Sequence, residues 1–188
     1  MCEENVEAIA SALFADLGKP RFEAIGFEVT GVIKYARTTL SKLEEWTAPV
    51  DMSEFVADMH KPLKPTVHKT PKGPVLVIAP WNFPFFICMP PVIAAISSGN
   101  PAACKPSELT PHLAQLLAEL FPKYLDPEAY IVVNGAVPET TKLLELKWAH
   151  STSFCSSFSL VTESIALACN SPLHWEWPYC QNYCNCCG

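Results

Sequence analysis

The residues that could bind a ligand follow two short apolar runs of the chain. Asn82 stands between two prolines, four residues after the aliphatic run 75–78. The segment Lys105-Pro-Ser-Glu108 closes a second run, 101–105. An amide, an ammonium group and a carboxylate can together bind a polar ligand, and ligands of open α/β sheets bind at the carboxyl ends of the strands. The pattern therefore predicts a ligand site at one sheet edge.

The two runs belong to an alternation of strands and helices. The run 75–78 is continuous, aliphatic and bounded by Gly and Pro, which is typical of a strand buried on both faces of a parallel sheet. Pro80 and Pro84 then end the strand and hold the three residues between them in a tight loop. The remaining pattern predicts helices over 90–98, 110–121 with Thr110 as N-cap, and 139–146, and strands over 101–105 and 130–133. This order predicts an α/β, doubly wound fold.

Both site segments also have a purely structural interpretation. A loop of Trp, Asn and Phe between prolines can be an Asx-type turn capped by aromatic rings. Lys105 can be a solvated surface charge, which is the usual state of lysine. Either segment taken alone leaves both interpretations open.

Three motifs, in order along the chain, resemble the cofactor-binding domain of NAD(P)-dependent aldehyde dehydrogenases. They are IAPWNFP from Ile78, GNPAACKPSE from Gly99 and VNGAVPET from Val133. The third is similar to a signature of the class-3 and fatty aldehyde dehydrogenase branch, and segment 16–24 is similar to the helix–turn–helix that opens that branch. The likeness covers most of residues 1–150, and the order of the motifs favours the functional interpretation of both loops.

The resemblance implies a partial doubly wound, Rossmann-like cofactor-binding domain that uses NAD or NADP and acts in a homodimer. It implies that the amide of Asn82 donates to the oxyanion formed when a Cys thiolate attacks an aldehyde, which requires a rigidly held neutral donor. Lys105 and Glu108 would bind the adenosine ribose, and Glu108 favours a free ribose hydroxyl. The remaining cofactor-binding residues that it implies are Ile78, Ala79, Pro80, Trp81 and Ser107.

The catalysis of this family, oxidation of an aldehyde to a carboxylic acid, also needs a Cys nucleophile and a Glu general base. The 188 residues stop before the segments that carry them, and Cys88 and Cys104 lie in apolar runs that favour buried, inert thiols. We therefore expect no turnover from this chain. The alternative is a non-enzymatic truncated product with at most weak dinucleotide binding or subunit pairing. We also expect the strands near Val75 and Ile131 to lack neighbours on their apolar faces.

Residues 1–150 divide into three parts. Apolar spacing predicts amphipathic helices over 3–17 and 22–45, which form a helical hairpin over 1–46. Residues 47–73 are a Pro-rich crossing segment in which 61–72 is expected to be extended; its lysines form either a phosphate-binding patch or a solvated strand edge. Residues 74–150 are the βαβ core. The first helix is short at its front compared with the family, so an earlier start is expected.

Composition excludes several classes of partner. The formal net charge is −6, and no Lys/Arg cluster offers an electrostatic footprint for nucleic acid. No apolar run reaches the length of a membrane span, and the chain begins with acidic residues where a signal peptide would be basic. A cytoplasmic, reducing setting is expected, although membrane association of an intact relative is left open. His60 and His68 have no ligand-spaced partners, so no metal is assigned.

The character of the sequence changes at residue 150. Six of the nine cysteines lie in 151–188, which contains no Lys or Arg. A zinc module over 180–187 would need ligand pairs spaced to close a tetrahedron, and these residues are crowded together. A Ser- and Cys-rich extension with its own role is a second interpretation, for which nothing argues positively.

The third interpretation is a tail that is a retained intron plus a frame-shifted exon. Shifted by one base, the codons of 173–187 permit Phe-Thr-Gly-Asn-Gly followed by a helical segment, which resembles the family's next motif. Codons 151–152 can hold a splice donor and codons 170–171 an acceptor. The hypothesis predicts a disordered, non-homologous tail over 151–188. Sequencing the spliced transcript tests it, and an uninterrupted genomic reading frame would contradict it.

Overall fold

A computed structural model describes residues 1–153 of the protein; the expectations for the tail beyond Ser153 lie outside these residues. Helices and strands alternate after an N-terminal helical part. The helices are α1 (Val6–Leu17), α2 (Arg21–Glu23), a π-helical segment (Ala24–Val29), α3 (Thr30–Thr47), α4 (Pro84–Ser97), α5 (Pro111–Tyr124) and α6 (Val137–Glu145). The strands are β1 (Val50–Asp51), β2 (Thr66–Val67), β3 (Val75–Ile78), β4 (Ala102–Lys105), β5 (Tyr130–Val132) and β6 (His150–Ser153).

The core of the fold is a four-stranded parallel sheet in the order β5-β4-β3-β6. One face carries Val75, Val77 and Cys104 and packs against α1, the π-helical segment, α3, α4 and α5. The other face carries Leu76, Ile78 and Ala103 and packs against α6 and Trp148. Helices therefore cover both faces, which confirms the doubly wound α/β fold.

Strand β6 was not predicted, and it corrects the expectation for the strand at Val75. His150 pairs with Val75 and Ser153 with Ile78, so β3 lies between β4 and β6, and Val75 is only 8% exposed. A short Ser/Thr segment lacks the apolar signal of a buried strand, yet its backbone can still complete the ladder. The expectation for Ile131 is confirmed, since this residue of the terminal strand β5 is 47% exposed.

Helix α4 begins six residues before the predicted start at residue 90. Pro84 occupies its first turn, where the fixed φ of proline suits the helix and its missing N–H costs nothing. The next two amides, of Phe85 and Phe86, donate to the carboxylate of Glu28. The sequence pattern missed this start because the acceptor comes from a distant part of the chain.

Both predicted N-terminal helices are present, joined by a short turn. α1 ends at Gly18, whose φ of 65° is the left-handed conformation that favours glycine at a helix C-terminus. From Arg21 to Thr47 the chain is one continuous helix, as predicted, but its second turn is π-helical. Gly31 then lies so close to Phe86 of α4 that an added Cβ would stand 2.6 Å from the ring.

The crossing segment is more structured than predicted. β1 and β2 pair antiparallel, with Val50 opposite Val67. Between them lie two 3₁₀ helices, Ser53–Phe55 and Asp58–Leu63. The first residues of the predicted extended stretch 61–72 are therefore helical, because Asp58 starts a turn that Lys61 supports through an ion pair at 2.6 Å.

Candidate functional site

The two predicted loops leave the sheet at one edge. Ile78 and Lys105 are register partners at the carboxyl ends of β3 and β4, and the amide of Ala79 donates to the carbonyl of Lys105 at 3.0 Å. The chain winds from β3 through β4 to β5 and then returns to place β6 on the other side of β3. Open α/β sheets bind ligands at such a reversal of strand order. The loop that holds Asn82 leaves β3 at this reversal.

The Asn82 loop is exposed at its tip and held at its base. Trp81, Asn82 and Phe83 are all exposed, whereas Pro84 and Phe85 are buried. The ammonium group of Lys19 donates to the backbone carbonyl of Asn82 at 2.8 Å. Within residues 1–153 the side-chain amide of Asn82 makes no hydrogen bond. This arrangement leaves a neutral donor available to a ligand on a loop whose backbone is anchored.

The segment after β4 carries a buried cation. The side chain of Lys105 is 6% exposed, and its Nζ lies 2.6 Å from Oε2 of Glu108, which is 42% exposed. This hydrogen bond from Lys105 lowers the pKa of Glu108, and burial opposes it only partly. Ser107 is buried, and its Oγ accepts from the amide of Leu109 at 3.3 Å. The pair therefore presents a charged donor and a solvent-facing acceptor side by side.

An open cleft of about 390 Å³ lies beside this pair. Its walls come from the segment after β4, the first turns of α5 and the loop between β5 and α6. The lining residues are Pro106, Ser107, Glu108, Pro111, Ala114, Gln115, Asn134, Gly135 and Ala136. Ser107 and Glu108 of the predicted cofactor set line the cleft. Lys105 does not, and neither do Ile78 at the end of β3 and Ala79, Pro80 and Trp81 in the loop after it.

The wall of the cleft that the loop between β5 and α6 forms was not part of the predicted site. Asn134 donates from its amide to the carbonyl of Ala114 at 3.3 Å, which joins this wall to α5. Gly135 has no room for a side chain, since an added Cβ would stand 2.5 Å from Cβ of Glu139. Glu139 in turn accepts from the amide of Ala136 at 2.9 Å, and the backbone amides of this helix start lower its pKa. The third motif contains these residues and follows a predicted strand. Because ligands of open α/β sheets bind at the carboxyl ends of the strands, the sequence could have identified them.

The cysteines of residues 1–153 are poorly placed for nucleophilic attack. Cys88 and Cys104 are fully buried, with their Sγ atoms 2.8 Å apart. The contact with Cys88 and burial raise the pKa of Cys104 well above its usual value. Burial also raises the pKa of Cys2. A reactive cysteine needs the thiolate, which a raised pKa disfavours.

No helix in residues 1–153 combines the length and the apolar character needed to cross a membrane. The same residues contain no group of three or more His, Cys, Asp and Glu side chains arranged to hold a metal ion.

Comparison with known proteins extends the likeness beyond the motifs. A model of the aldehyde dehydrogenase family matches residues 1–163. The chain is 39% identical over 150 residues to the dimeric NADP-preferring aldehyde dehydrogenase of Rattus norvegicus, a match that covers 80% of this chain and 33% of the relative. It is 42% identical over 148 residues to aldehyde dehydrogenase family 3 member H1 of Arabidopsis thaliana, covering 79% of this chain and 30% of the relative. The chain thus spans about a third of the length of these relatives.

Solved structures give the same result. Substrate-bound AldH of Staphylococcus aureus aligns with a TM-score of 0.67 and 31% identity, covering 80% of this chain and 35% of that one. Aldehyde dehydrogenase 21 of Physcomitrella patens, in complex with the reaction product succinate, aligns with a TM-score of 0.72 and 26% identity, covering 89% of this chain and 35% of that one. The family uses NAD or NADP, and the name of the rat relative specifies NADP. The family match over most of the chain, together with these relatives, shows that the chain belongs to the aldehyde dehydrogenase family.

Proposed function

We propose that this chain supplies the dinucleotide-binding and oxyanion-stabilising part of an enzyme that oxidises an aldehyde to a carboxylic acid with NAD or NADP. One observation carries the proposal: the exposed Asn82 and the Lys105–Glu108 ion pair follow neighbouring strands at the carboxyl edge of the sheet, and Glu108 lines an open cleft. The family and the solved neighbours support the same chemistry.

The residues beside the cleft suit a dinucleotide. Lys105 offers a charged donor and Glu108, which it contacts at 2.6 Å, offers an acceptor, and the hydroxyls of a ribose can pair with both kinds of group. The cleft of about 390 Å³ is within the size range of small-molecule sites, and Gly135 lets its backbone form the wall without a side chain. When bound, NAD or NADP accepts the hydride released by the aldehyde carbon. Glu108 favours a cofactor with a free ribose hydroxyl.

We assign Asn82 as the oxyanion donor. A neutral amide lowers the barrier of acyl chemistry when it is held where negative charge develops on the former carbonyl oxygen. The backbone of Asn82 is anchored by Lys19, and within residues 1–153 its side-chain amide makes no hydrogen bond, so it stays available to that oxygen. The part of the cofactor nearest the reacting carbon is proposed to bind at the end of β3 and in the loop after it, to Ile78, Ala79, Pro80 and Trp81.

The 188 residues alone are proposed not to oxidise aldehydes. Catalysis requires a Cys thiolate and a Glu general base, and burial disfavours a thiolate at Cys104 and at Cys2. Cys88 is fully buried against Cys104. The cysteines of residues 1–153 thus favour the second candidate function, a non-enzymatic product that binds dinucleotide weakly or pairs with complete subunits.

Dinucleotide binding to the 188-residue protein tests the first part of the proposal. We expect calorimetry to detect weak binding of NAD, and Lys105→Met and Glu108→Gln to abolish it. Lys61→Met is the matched control, because it removes an exposed Lys–Asp pair of similar length outside the site. Binding unchanged in both site variants would contradict the assignment.

Aldehyde oxidation tests the second part. The 188-residue protein, incubated with a medium-chain aldehyde and NAD or NADP, should produce no reduced cofactor; turnover would refute the proposed inactivity. If transcript sequencing reveals a spliced frame that joins His150 to further family segments, that product should be active. Asn82→Ala in that product should raise the barrier by about 2.7–4 kcal/mol, as for other oxyanion donors.

We also propose a domain boundary, a cellular location and an oligomeric state. The boundary between a cofactor-binding unit and a foreign tail is proposed near residue 150, although β6 extends to Ser153 and the family match to residue 163. A cytoplasmic location is also a proposal, and cell fractionation tests it. Homodimer formation is proposed for the complete enzyme, and sedimentation of that enzyme tests it.

A further inference from the structure

A buried carboxylate stands behind the Asn82 loop and is not explained by cofactor or aldehyde binding. The side chain of Glu28 is 1% exposed and lies in the π-helical segment. Its Oε2 accepts from the amides of Phe85 at 2.9 Å and Phe86 at 3.2 Å, which are the first amides of α4. Its Oε1 lies 2.5 Å from Nζ of Lys19.

Lys19 continues this connection to the loop. Its Nζ donates to the backbone carbonyl of Asn82 at 2.8 Å and lies 4.1 Å from the centre of the Phe83 ring. Cation–π contacts and charge-assisted hydrogen bonds both strengthen where water is scarce, and the Lys19 side chain is only 12% exposed. Glu28 and Lys19 therefore hold the loop from both ends of the Asn82–Phe85 stretch.

The side chain of Asn82 has no hydrogen-bond partner in residues 1–153, so the position of its amide depends on how firmly the loop backbone is held. An oxyanion donor is effective only when it is held in place before the charge develops. We propose that Glu28, acting through Lys19 and the first amides of α4, is a positioning residue for the Asn82 amide. This inference rests on the proposed oxyanion role of Asn82.

The π-helical turn explains how Glu28 reaches this position. A π-turn inserts one residue into a helix and shifts the face on which the following side chains lie, and such turns occur often at functional sites. Glu28 then lies on the buried side of the helix between Ala24 and Val29, both fully buried. A carboxylate in such surroundings is stable only with partners, and here three donors supply them.

The test uses Glu28→Gln in the 188-residue protein, with Glu7→Gln as the matched control. Glu7 also pairs with a cation, Arg21, but it is exposed. Amide hydrogen exchange at Phe85 and Phe86 should become about tenfold faster or more in Glu28→Gln, since a charge-assisted cap is lost. The NMR order parameter of the Asn82 backbone should fall at the same time. Exchange at Val77 in β3 reports whether the sheet is still folded.

A second variant separates positioning from simple helix capping. Lys19→Met leaves the Glu28 cap in place but removes the donor to Asn82, so the order of Asn82 should fall while Phe85 stays protected. Lys19→Arg, which keeps the charge, should restore that order in part. If Glu28→Gln unfolds the sheet, the Lys19 variants decide the question. An Asn82 order parameter unchanged in Lys19→Met, or unchanged in a folded Glu28→Gln, would overturn the inference.

A different result would contradict the proposed oxyanion role of Asn82 and not the positioning role of Glu28. In an active spliced product, Asn82→Ala without a kinetic effect would remove the oxyanion role itself. If Asn82→Ala slows the reaction, Glu28→Gln should lower kcat with little change in KM, and it should add little further loss in the Asn82→Ala background. Independent, additive losses would show that Glu28 does not act through Asn82.

Discussion

Helices α4 and α5 begin at the same edge of the sheet, and each receives its N-terminal cap from a carboxylate in the N-terminal helices. Glu28 accepts from the amides of Phe85 and Phe86 at the start of α4. Asp16 accepts from the amides of His112 at 3.0 Å and Leu113 at 2.9 Å at the start of α5. Both carboxylates are buried, and both satisfy amides that a helix cannot satisfy itself.

The two caps differ in the side chain that contacts each carboxylate. Glu28 pairs with Lys19, whose side chain is 12% exposed and which also anchors the backbone of Asn82. Asp16 contacts Nδ1 of His112 at 2.7 Å, but this imidazole is 65% exposed and belongs to the helix that is being capped. The Glu28 cap is therefore connected through Lys19 to the Asn82 loop, whereas the Asp16 cap contacts only residues of the helix that it caps.

The two buried carboxylates therefore have different roles: Asp16 caps a helix, whereas Glu28 caps a helix and also supports the Asn82 loop. A carboxylate that only caps a helix can be replaced at the cost of that cap. A carboxylate that joins a helix start, a buried cation and a loop cannot be removed without leaving several buried groups unpaired. The comparison predicts unequal costs of mutation at two sites that have similar local geometry.

The largest effect is expected for Glu28→Ala. It leaves the Phe85 amide and the ammonium group of Lys19 without their partner, and breaking a buried ion pair costs about 3–5 kcal/mol. Urea unfolding of the 188-residue protein measures this loss. Glu7→Ala, which breaks an exposed pair, should leave the free energy of unfolding nearly unchanged. A Glu28→Ala loss as small as that of the control would remove the distinction between the two caps.

A smaller effect is expected for Gly31→Ala, which tests whether helix packing fixes the start of α4. The added Cβ would stand 2.6 Å from the Phe86 ring, so the ring or α3 must move. Overpacking of this kind costs about 1–3 kcal/mol. Gly26→Ala on the same helix meets no atom within 4 Å and is the matched control. Equal unfolding free energies of the two variants would contradict the close approach.

Asp16→Ala should cost less than Glu28→Ala. Loss of a helix N-cap costs about 0.5–2 kcal/mol, and the amide of His112 becomes accessible to water once the carboxylate is gone. Asp16→Asn keeps an acceptor and should recover much of this loss in urea unfolding. His112→Ala removes the exposed partner but leaves the amide contacts of Asp16, so it should have only a fraction of the effect. An Asp16→Ala loss equal to that of Glu28→Ala would make the two caps equivalent.

Local patterns predicted the parts of the site that depend on neighbouring residues. The run 75–78 gave β3, and the spacing of Lys105 and Glu108 allowed their contact, because three residues separate them at a strand end. The start of α4 could not be predicted, since its acceptor, Glu28, lies 57 positions earlier. No local signal marked the π-helical turn that carries Glu28.

Two other parts of the site depend on tertiary structure in different ways. β6 has the sequence His-Ser-Thr-Ser, whose polarity gives no strand pattern, and it forms because β3 offers it an open ladder. The cleft wall at Asn134 and Gly135 follows a strand that the sequence did predict. Its omission from the predicted site shows that the carboxyl end of every strand of a parallel sheet has to be considered as a ligand site, and not only the ends that are followed by charged residues.

The smallest predicted effect concerns a third carboxylate, Glu108, which faces the solvent beside the cleft. Lys105 holds the pKa of Glu108 below its ordinary value. A lowered folded-state pKa contributes stability above the ordinary carboxyl pKa of about 4.3, and this contribution is lost as the pH falls through the lowered value. NMR titration of the Glu108 carboxyl should show the low pKa, and Lys105→Met should raise it toward the ordinary value. Lys142→Met, which removes an exposed lysine from α6, should leave the Glu108 titration unchanged. Because Glu108 is partly exposed, Lys105→Met should change its protonation more than the stability of the fold, unlike either buried cap.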